Sequence, residues 1–332
     1  MNTKYPRVSF SIPILIAILL TLLGGCTTKH KAYHIGVLCG LDIFANTVDG
    51  FKLKMTELGY REGDSIEYDI RITDSEPQRE YEILQKFINE KVDLVFTFPT
   101  IVSIEAKKVL EAANIPLVFA NANIENTDLV DSILEPGKNV TGVRYPGPDI
   151  SLKRFEILLE ILPHAKRILL PYDRSMTLIA TQLENLRVAA KSSDITLVEL
   201  PASSVLELET EIDKLASNKE PNIDAILMIP EPLAVSQAGF KILAKFAADH
   251  KIPLGGALGT ADEYDTIMSV STDNMAVGKQ AAILVDRILK GTPAGSIPVV
   301  SAESYIQINN TVAKKMGIHI PAGLLKQADR VI

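Results

Sequence analysis

Residues 92–120 read VDLVFTFPT, then IVSIEAKKVLEAAN, then IPLVFA. The run Val92 to Phe98 is short, apolar and rich in β-branched and aromatic residues, and Pro99 and Thr100 close it, which predicts a buried strand ending in a turn. A helix is predicted to follow at once, its buried face made of Ile104, the stem of Lys108, Val109 and Ala112. Asn114 before Ile115-Pro116 stops it. Strand, turn, helix, strand is a βαβ unit, and small molecules bind beyond the carboxyl ends of the strands in open parallel sheets. Phe98, Pro99 and Thr100 are therefore expected at a mouth, with Ile101 opening the helix behind them.

The same phrase returns at Ile223 to Pro230, IDAILMIP, followed by a helical stretch from about Leu233 to Asp249 and then KIPLGGA. Val92-Asp93 matches Ile223-Asp224, Pro99 matches Pro230, and Ile115-Pro116-Leu117 matches Ile252-Pro253-Leu254. Two similar lobes account for this most simply, with their proline turns facing each other across a cleft. The fold class is then α/β, two Rossmann-like lobes with parallel sheets.

A chain of 332 residues is long enough for two such lobes, each with its own core. Lys4 and Arg7 followed by the apolar run Ile12 to Leu23 make residues 1–25 an export signal. The ending Leu23-Gly24-Gly25-Cys26 resembles a lipobox, which makes Cys26 the lipidated first residue of the mature chain and 26–32 a polar tether. The alternative, an uncleaved membrane anchor, suits the sequence less well because the apolar run falls short of the ~20 residues a span needs. The formal charge is −7, and loss of the leader removes two of the 34 basic residues, leaving 32 against 41 acidic ones, a net −9. An acidic protein with no basic stripe does not suit nucleic acid. With Cys26 lipidated, Cys39 has no disulfide partner within the chain, and it reads as a small buried residue.

In chain order, Tyr33 to Leu38 is the first strand and Val48, Phe51, Met55 and Leu58 form one helical stripe. Ser65 to Ile72 alternates like an edge strand. The helix after it is expected to bury Tyr81, Leu84, Phe87 and Ile88. Tyr145-Pro146-Gly147-Pro148 breaks the pattern and marks a first crossing between lobes. The expected organisation is residues 33–146 plus 266–291 for lobe 1 and residues 147–265 plus 292–332 for lobe 2. The hinge is then expected in three segments: 142–148, 259–266 and 291–298.

Several phrases recur in a fixed order: Glu57-Leu58-Gly59-Tyr60, Val92-Asp93-Leu94-Val95, Pro136-Gly137 with Asn139-Val140-Thr141-Gly142-Val143, and Leu162-Pro163 with Ala165-Lys166-Arg167. Asp224-Ala225-Ile226, Gly278-Lys279-Gln280, Ile288-Leu289-Lys290-Gly291 and Ala328-Asp329-Arg330-Val331-Ile332 continue the series. On these, the chain from about Ile35 onward resembles a family of ABC-transporter substrate-binding lipoproteins with the type I periplasmic-binding-protein fold, relatives of receptors for aromatic amino acids such as tryptophan. The resemblance implies a small-molecule solute, an ABC permease as partner, an extracytoplasmic location on a bacterial membrane, a lipid anchor at Cys26 and a monomer. It is closest in the scaffold. The first loop, Gly40 to Phe44, lacks the His-Pro of the family. Asn123-Ile124-Glu125 replaces Thr-Asp-Pro, Glu231-Pro232 stands where Asp-Asn is usual, and Gly255-Gly256-Ala257 replaces a more polar loop. The receptor class follows from the resemblance more closely than the ligand does.

At the expected cleft, Thr100 and Ile101 begin a helix whose free N–H groups suit a ligand carboxylate; the other reading of Thr100 is a cap for its own helix. Glu231, in the matching turn of the second lobe, is the first candidate for a ligand ammonium, with Asp42, Glu125 and Asp273 behind it. Tyr172 is a candidate flat contact, and Ser175 and Asn123 are candidate hydrogen-bonding groups. Histidines 30, 34, 164, 250 and 319 show no metal-ligand spacing, and no Gly-x-Ser-x-Gly elbow or phosphate loop occurs. No cofactor, metal or catalytic residue is expected. The predicted function is a solute receptor of an importer; the alternatives are a solute-sensing module of a signalling system and, behind it, a cleft-based enzyme.

Overall fold

The computed structural model describes residues 1, 3, 32–217, 221–261 and 264–332; the expected export signal and Cys26 lie outside them. In chain order the first elements are β1 (Tyr33–Cys39), α1 (Asn46–Glu57), β2 (Ile66–Ile72), α2 (Pro77–Glu90), β3 (Leu94–Phe98), α3 (Thr100–Glu111), β4 (Leu117–Ala122) and β5 (Val140–Arg144). Then come α4 (Gly147–Ile161), β6 (Arg167–Asp173), α5 (Ala180–Ser192), β7 (Thr196–Ala202), α6 (Val205–Ala216), β8 (Ala225–Leu227), α7 (Pro232–Val235), α8 (Gln237–His250) and β9 (Leu254–Gly256). The rest is β10 (Thr260–Ala261), β11 (Tyr264–Asp265), β12 (Met268–Thr272), α9 (Asn274–Leu289), β13 (Val300–Ser301), β14 (Ser304–Ile308), α10 (Asn310–Lys315), α11 (Ala322–Gln327) and β15 (Arg330–Val331).

Two sheets result, ordered β13-β5-β4-β3-β1-β2 and β15-β14-β12-β9-β8-β6-β7. The first is parallel throughout, and in the second only β14 runs against its neighbour β12. Helices cover both faces of each, as parallel sheets require. On one face of the first sheet Phe51, Met55, Val277 and Val285 of α1 and α9 meet Phe96 and Phe98; on the other, Leu84, Phe87, Val102 and Leu110 of α2 and α3 form the core. In the second sheet α4 and α5 supply Leu158, Leu183 and Leu186, and α6 and α8 supply Leu208, Phe240 and Leu243. Each such side chain stabilises by about 1.5–3 kcal/mol on full burial.

The internal repeat has a structural counterpart at the start of each organising strand. Asp93 Oδ2 accepts the N–H of His34 (2.7 Å) and its own N–H donates to His34 O (2.8 Å). Asp224 Oδ2 accepts the N–H groups of Lys166 (2.6 Å) and Arg167 (2.8 Å), and its N–H donates to Arg167 O (2.8 Å). In both lobes the aspartate staples the third strand to the first. Each is preceded by a left-handed residue two positions earlier, Lys91 (φ 54°) and Asn222 (φ 53°), which turns the chain out of the preceding segment.

The lobe boundaries differ from those expected. β12 pairs in the second sheet with β9 and β14, so the return to lobe 1 comes after Thr272 and not at 266. β13 pairs with β5 in the first sheet, so the last crossing follows Ala302 and not Gly291. Residues 259–266, expected to flex, include the small hairpin β10–β11, and Gly295 O accepts the N–H of Gly137 within lobe 1 (3.2 Å). The three crossings therefore lie at 145–146, 273 and 302–303, and side chains tie them together. Arg144 Nε donates to Ser301 Oγ (2.8 Å), and Arg144 O accepts the N–H of Ala302 (2.9 Å). Arg154, only 1 % exposed, donates from Nε to Val270 O (2.7 Å) and from Nη2 to Tyr145 Oη (3.1 Å).

Two helix faces are also corrected. In α3 the buried stripe is Val102, Ala106 and Leu110 with Ser103, while Lys108 and Ala112 face solvent. In α2, Tyr81 is 51 % exposed and the neighbouring Glu80 is buried, accepting the hydroxyl proton of Thr73 at 2.9 Å. Burial raises the carboxyl pKa of Glu80 against the lowering effect of that bond. The folded state therefore holds a proton more tightly than the unfolded state does. Stability is full below the ordinary glutamate value of 4.5 and falls as pH rises through the folded pKa. Glu80→Gln keeps an acceptor for Thr73 and removes the charge. It is expected to be more stable than the wild type at pH 7 and equal to it at pH 4, as read by urea unfolding at the two pH values.

Candidate functional site

Within lobe 1 the first loop and the proline turn after β3 meet. Gly40, at the end of β1, donates its N–H to Phe98 O (2.8 Å), which ties the first loop to the turn before α3. A side chain at Gly40 would fall 2.4 Å from Val102 Cγ2, so only glycine lets these segments meet. The first intrahelical bond of α3 runs from Ser103 N–H to Pro99 O (3.1 Å), leaving the N–H groups of Thr100, Ile101 and Val102 ahead of it.

Thr100 does not cap its own helix. It is buried, and its hydroxyl accepts the N–H of Asn123 at 3.0 Å, so it holds the loop after β4 against the start of α3. Asn123 in turn lies against lobe 2, its Oδ1 within 2.8 Å of where a side chain on Gly147 would begin. Ile101 is exposed just beyond the carboxyl end of β3, as are Leu41 and Ile43 in the loop after β1. Asp42 stands on the same loop, exposed. Phe98, expected at the mouth, is instead fully buried against Phe96 with ring centroids 5.0 Å apart.

The lobe 2 candidates are largely committed to structure. Glu231, 2 % exposed, accepts the N–H groups of Ala234 (2.6 Å), Leu233 (2.9 Å) and Asp173 (3.3 Å). It caps α7 and fastens it to the end of β6, so it is not free for a ligand ammonium. Tyr172 faces the core of lobe 2 and donates its hydroxyl to Glu199 (2.9 Å), which also pairs with Arg187 (2.7 Å). Ser175 closes a turn on Asp173, donating to it from both N–H (2.8 Å) and Oγ (2.6 Å). Glu125 pairs with Arg144 (2.6 Å), which also reaches Asp149 (3.0 Å). Asp273 caps α9 through Ala276 N–H (3.0 Å).

Of the expected residues, Asp273 lines the cavity that opens between the lobes. That cavity has a volume of about 540 Å³, within the range of small-molecule sites. Lobe 1 lines it with Asn46, Asn274 and Met275, the first turns of α1 and α9, and lobe 2 with Ser269, Ser271, Tyr305, Gln307 and Arg330 from adjacent strands. Hydroxyls and amides dominate, with Asp273 and Arg330 as the charged groups. Behind the wall, Asn274 donates to Ile43 O (3.2 Å), and Asn121 Nδ2 lies 3.1 Å from Thr47 Oγ1 and 3.3 Å from Asn274 Oδ1. These residues are polar, scattered in sequence and unremarkable singly; the alternation of Ser269, Ser271, Tyr305 and Gln307 with core residues was the available signal.

Cys39 is buried, its thiol donating to Leu41 O (3.0 Å), and burial pushes its pKa up to about 11, the reverse of a nucleophile. Among the described residues, no cluster of three or more His, Cys, Asp or Glu is placed to hold a metal ion, and no helix is long and apolar enough to cross a membrane.

Two α/β lobes joined by three crossings, with a polar cavity between them, define a solute-binding protein of the periplasmic-binding-protein type. The chain belongs to the family of ABC transporter substrate binding proteins, whose model matches residues 35–332. It is 27 % identical over 291 residues to a tyrosine-binding protein of Clostridioides difficile (strain R20291), which covers 87 % of this chain and 81 % of that protein. Among solved structures it is similar to a conserved domain protein of Vibrio cholerae, at 26 % identity and a TM-score of 0.74 over 91 % of this chain and all of that one. It also shares its fold with an ABC domain from Streptococcus pneumonia solved in complex with L-Trp, at 22 % identity and a TM-score of 0.76 over 91 % and 100 % of the two chains. The resemblance read in the sequence, the fold class and the substrate-binding role are borne out.

Proposed function

We propose that this protein is the receptor of an ABC importer for an amino acid with an aromatic side chain, with L-tyrosine the first candidate. The observation that carries this reading is the similarity to the tyrosine-binding protein over 87 % of this chain and 81 % of that one. The site supports it. A cavity of about 540 Å³ walled by hydroxyls, amides and one group of each charge suits the polar end of an amino acid, and exposed Leu41, Ile43 and Ile101 beyond the carboxyl ends of β1 and β3 offer apolar surface for a ring. Binding favours the closed state through contacts that one solute makes with both lobes at once. The mature chain is a monomer anchored outside the cytoplasm by lipid at Cys26, where it presents the solute to a permease.

The test is thermal unfolding of residues 27–332, which contain both lobes whole, after refolding to strip carried-over solute. L-tyrosine at one hundred times its dissociation constant should stabilise by about 2.7 kcal/mol, with L-tryptophan and L-phenylalanine weaker and sugars without effect. Stabilisation by a sugar alone would sink the amino-acid assignment. In the full chain, Cys26→Ser should move the protein from the membrane fraction; retention there would leave an uncleaved anchor as the explanation.

A further inference from the structure

We propose that the flank of the second sheet where Ser269, Ser271, Tyr305, Gln307 and Arg330 stand together is the subsite for the solute's carboxylate, with Arg330 the residue that selects it. The inference deepens the amino-acid reading and rests on it for the choice of probes. Strand pairing puts the five side chains on one face. Ser269 is opposite Gln307 and Ser271 opposite Tyr305 in β12 and β14, and Gln307 stands beside Arg330 in β14 and β15. Alternate residues share a face, so Met268, Val270, Ile306 and Ile308 turn the other way, into the core that α4 and α5 complete. With strands about 4.8 Å apart and alternate residues about 6.7 Å apart, the five cover roughly 10 Å by 7 Å, the span of one small polar head. On this side of the sheet α6 and α8 pack on Leu169, Ile226 and Leu254 of β6, β8 and β9, and their core ends there.

The fold leaves these polar groups unused. All five line the inter-lobe cavity, and among the described residues none of their side chains has a hydrogen-bond or ionic partner. Ser269 is only 4 % exposed, and a hydroxyl so buried is ordinarily paired. The loop above the row is kept bare: a side chain on Gly259 would begin 2.3 Å from Gln307 Nε2 and 3.1 Å from Ser269 Oγ. Around the rest of the cleft, Glu231, Tyr172, Ser175 and Glu125 are bonded within the fold. The strand under Arg330 is fixed while its guanidinium is free. Asp329 donates its N–H to Ile306 O (2.9 Å) and accepts Ile306 N–H at Oδ2 (2.8 Å), and Ile332 N–H donates to Ile308 O (3.0 Å). A guanidinium holds a carboxylate with paired N–H groups, and the serine and tyrosine hydroxyls and the glutamine amide supply further donors. Asp273, the acidic residue of the cavity lining, stands instead at the head of α9, which it caps. Of the two charged ends of an amino acid, this flank therefore suits the carboxylate.

The test is calorimetry on the full chain refolded without solute. Its probes are L-tyrosine, 3-(4-hydroxyphenyl)propionate, which lacks the ammonium, and tyramine, which lacks the carboxylate. Arg330→Gln should weaken the two carboxylates by about 10- to 100-fold and leave tyramine as it is in the wild type. Ser269→Ala should weaken the same two probes by a smaller factor. Because Arg330 has no partner in the fold, Arg330→Gln should unfold at the wild-type temperature. Equal affinity of Arg330→Gln and the wild type for the carboxylates overturns the proposal, as does a loss that extends equally to tyramine. A wild type that binds 3-(4-hydroxyphenyl)propionate and not L-tyrosine sinks the amino-acid reading alone, and the effect of Arg330→Gln is then read on the acid. A wild type that binds neither carboxylate overturns the proposal together with that reading.

Discussion

Alanine at Gly278 is expected to destabilise the protein by about 3 kcal/mol or more, a larger loss than ordinary overpacking brings. Helices α1 and α9 meet backbone to backbone. A Cβ on Gly278 would stand 2.0 Å from Thr47 O and 2.7 Å from Phe51 N, and one on Gly50 would stand 2.0 Å from Met275 O. These are main-chain atoms that cannot rotate away, so the helices must separate and the core contacts of Phe51, Met55, Val277 and Ala281 loosen with them. Because one separation relieves both clashes, Gly50→Ala and Gly278→Ala together should cost less than the sum of the two. Urea unfolding of the two single variants and the double variant gives the comparison; an additive double, or a single variant as stable as the wild type, would refute the shared backbone contact. The first turns of these helices also line the inter-lobe cavity, so solute affinity should fall alongside stability.

Glu231→Ala is expected to cost about 2–4 kcal/mol, since three N–H donors, two of them buried, lose their acceptor together. Glu231→Gln is the sharper variant. Burial raises the carboxyl pKa of Glu231 in spite of the bonds from Ala234, Leu233 and Asp173, so removing its charge alone should help. A glutamine, however, has one oxygen for three donors and turns an N–H₂ toward the rest. The variant should therefore be less stable than the wild type at pH 7, by about 1–3 kcal/mol, where Glu80→Gln is more stable. If both glutamines stabilise, Glu231 is a buried charge and not a cap. Equilibrium denaturation of the pair at one pH separates the two cases.

The repeated Val-Asp and Ile-Asp phrases could be read correctly from sequence because Asp93 and Asp224 make the same local bond to the first strand of their lobe. The face of α3 could not. Ile101, Val102, Ile104, Val109 and Leu110 spread apolar residues around the helix, and two stripes at helical spacing compete; the sheet and α2 choose Val102, Ala106 and Leu110. Tyr81 and Glu80 differ by one position, and the buried glutamate is tolerated only because Thr73 donates to it. The strand β12, Met268-Ser269-Val270-Ser271-Thr272, alternates core and polar residues in a way that suits either sheet, so the second crossing was misplaced by several residues. At the site, Glu231 and Thr100 were noticed for where they stand in their turns. Their partners decide their roles, since Glu231 bonds backbone at the end of the neighbouring strand β6 and Thr100 bonds a different loop. The side-chain bonds behind the cavity wall gave no signal, because Asn121 meets Thr47 and Asn274 from 74 and 153 positions away.

The late crossings bear on how the protein is made. The apolar side of α1 is covered by α9, and the edge of the first sheet by β13, both contributed after nearly all of lobe 2 has been synthesised. A chain growing from its amino terminus therefore carries an unfinished first lobe, with Phe51 and Met55 uncovered, until residues 274–301 are delivered. Contacts so distant in sequence make folding slow.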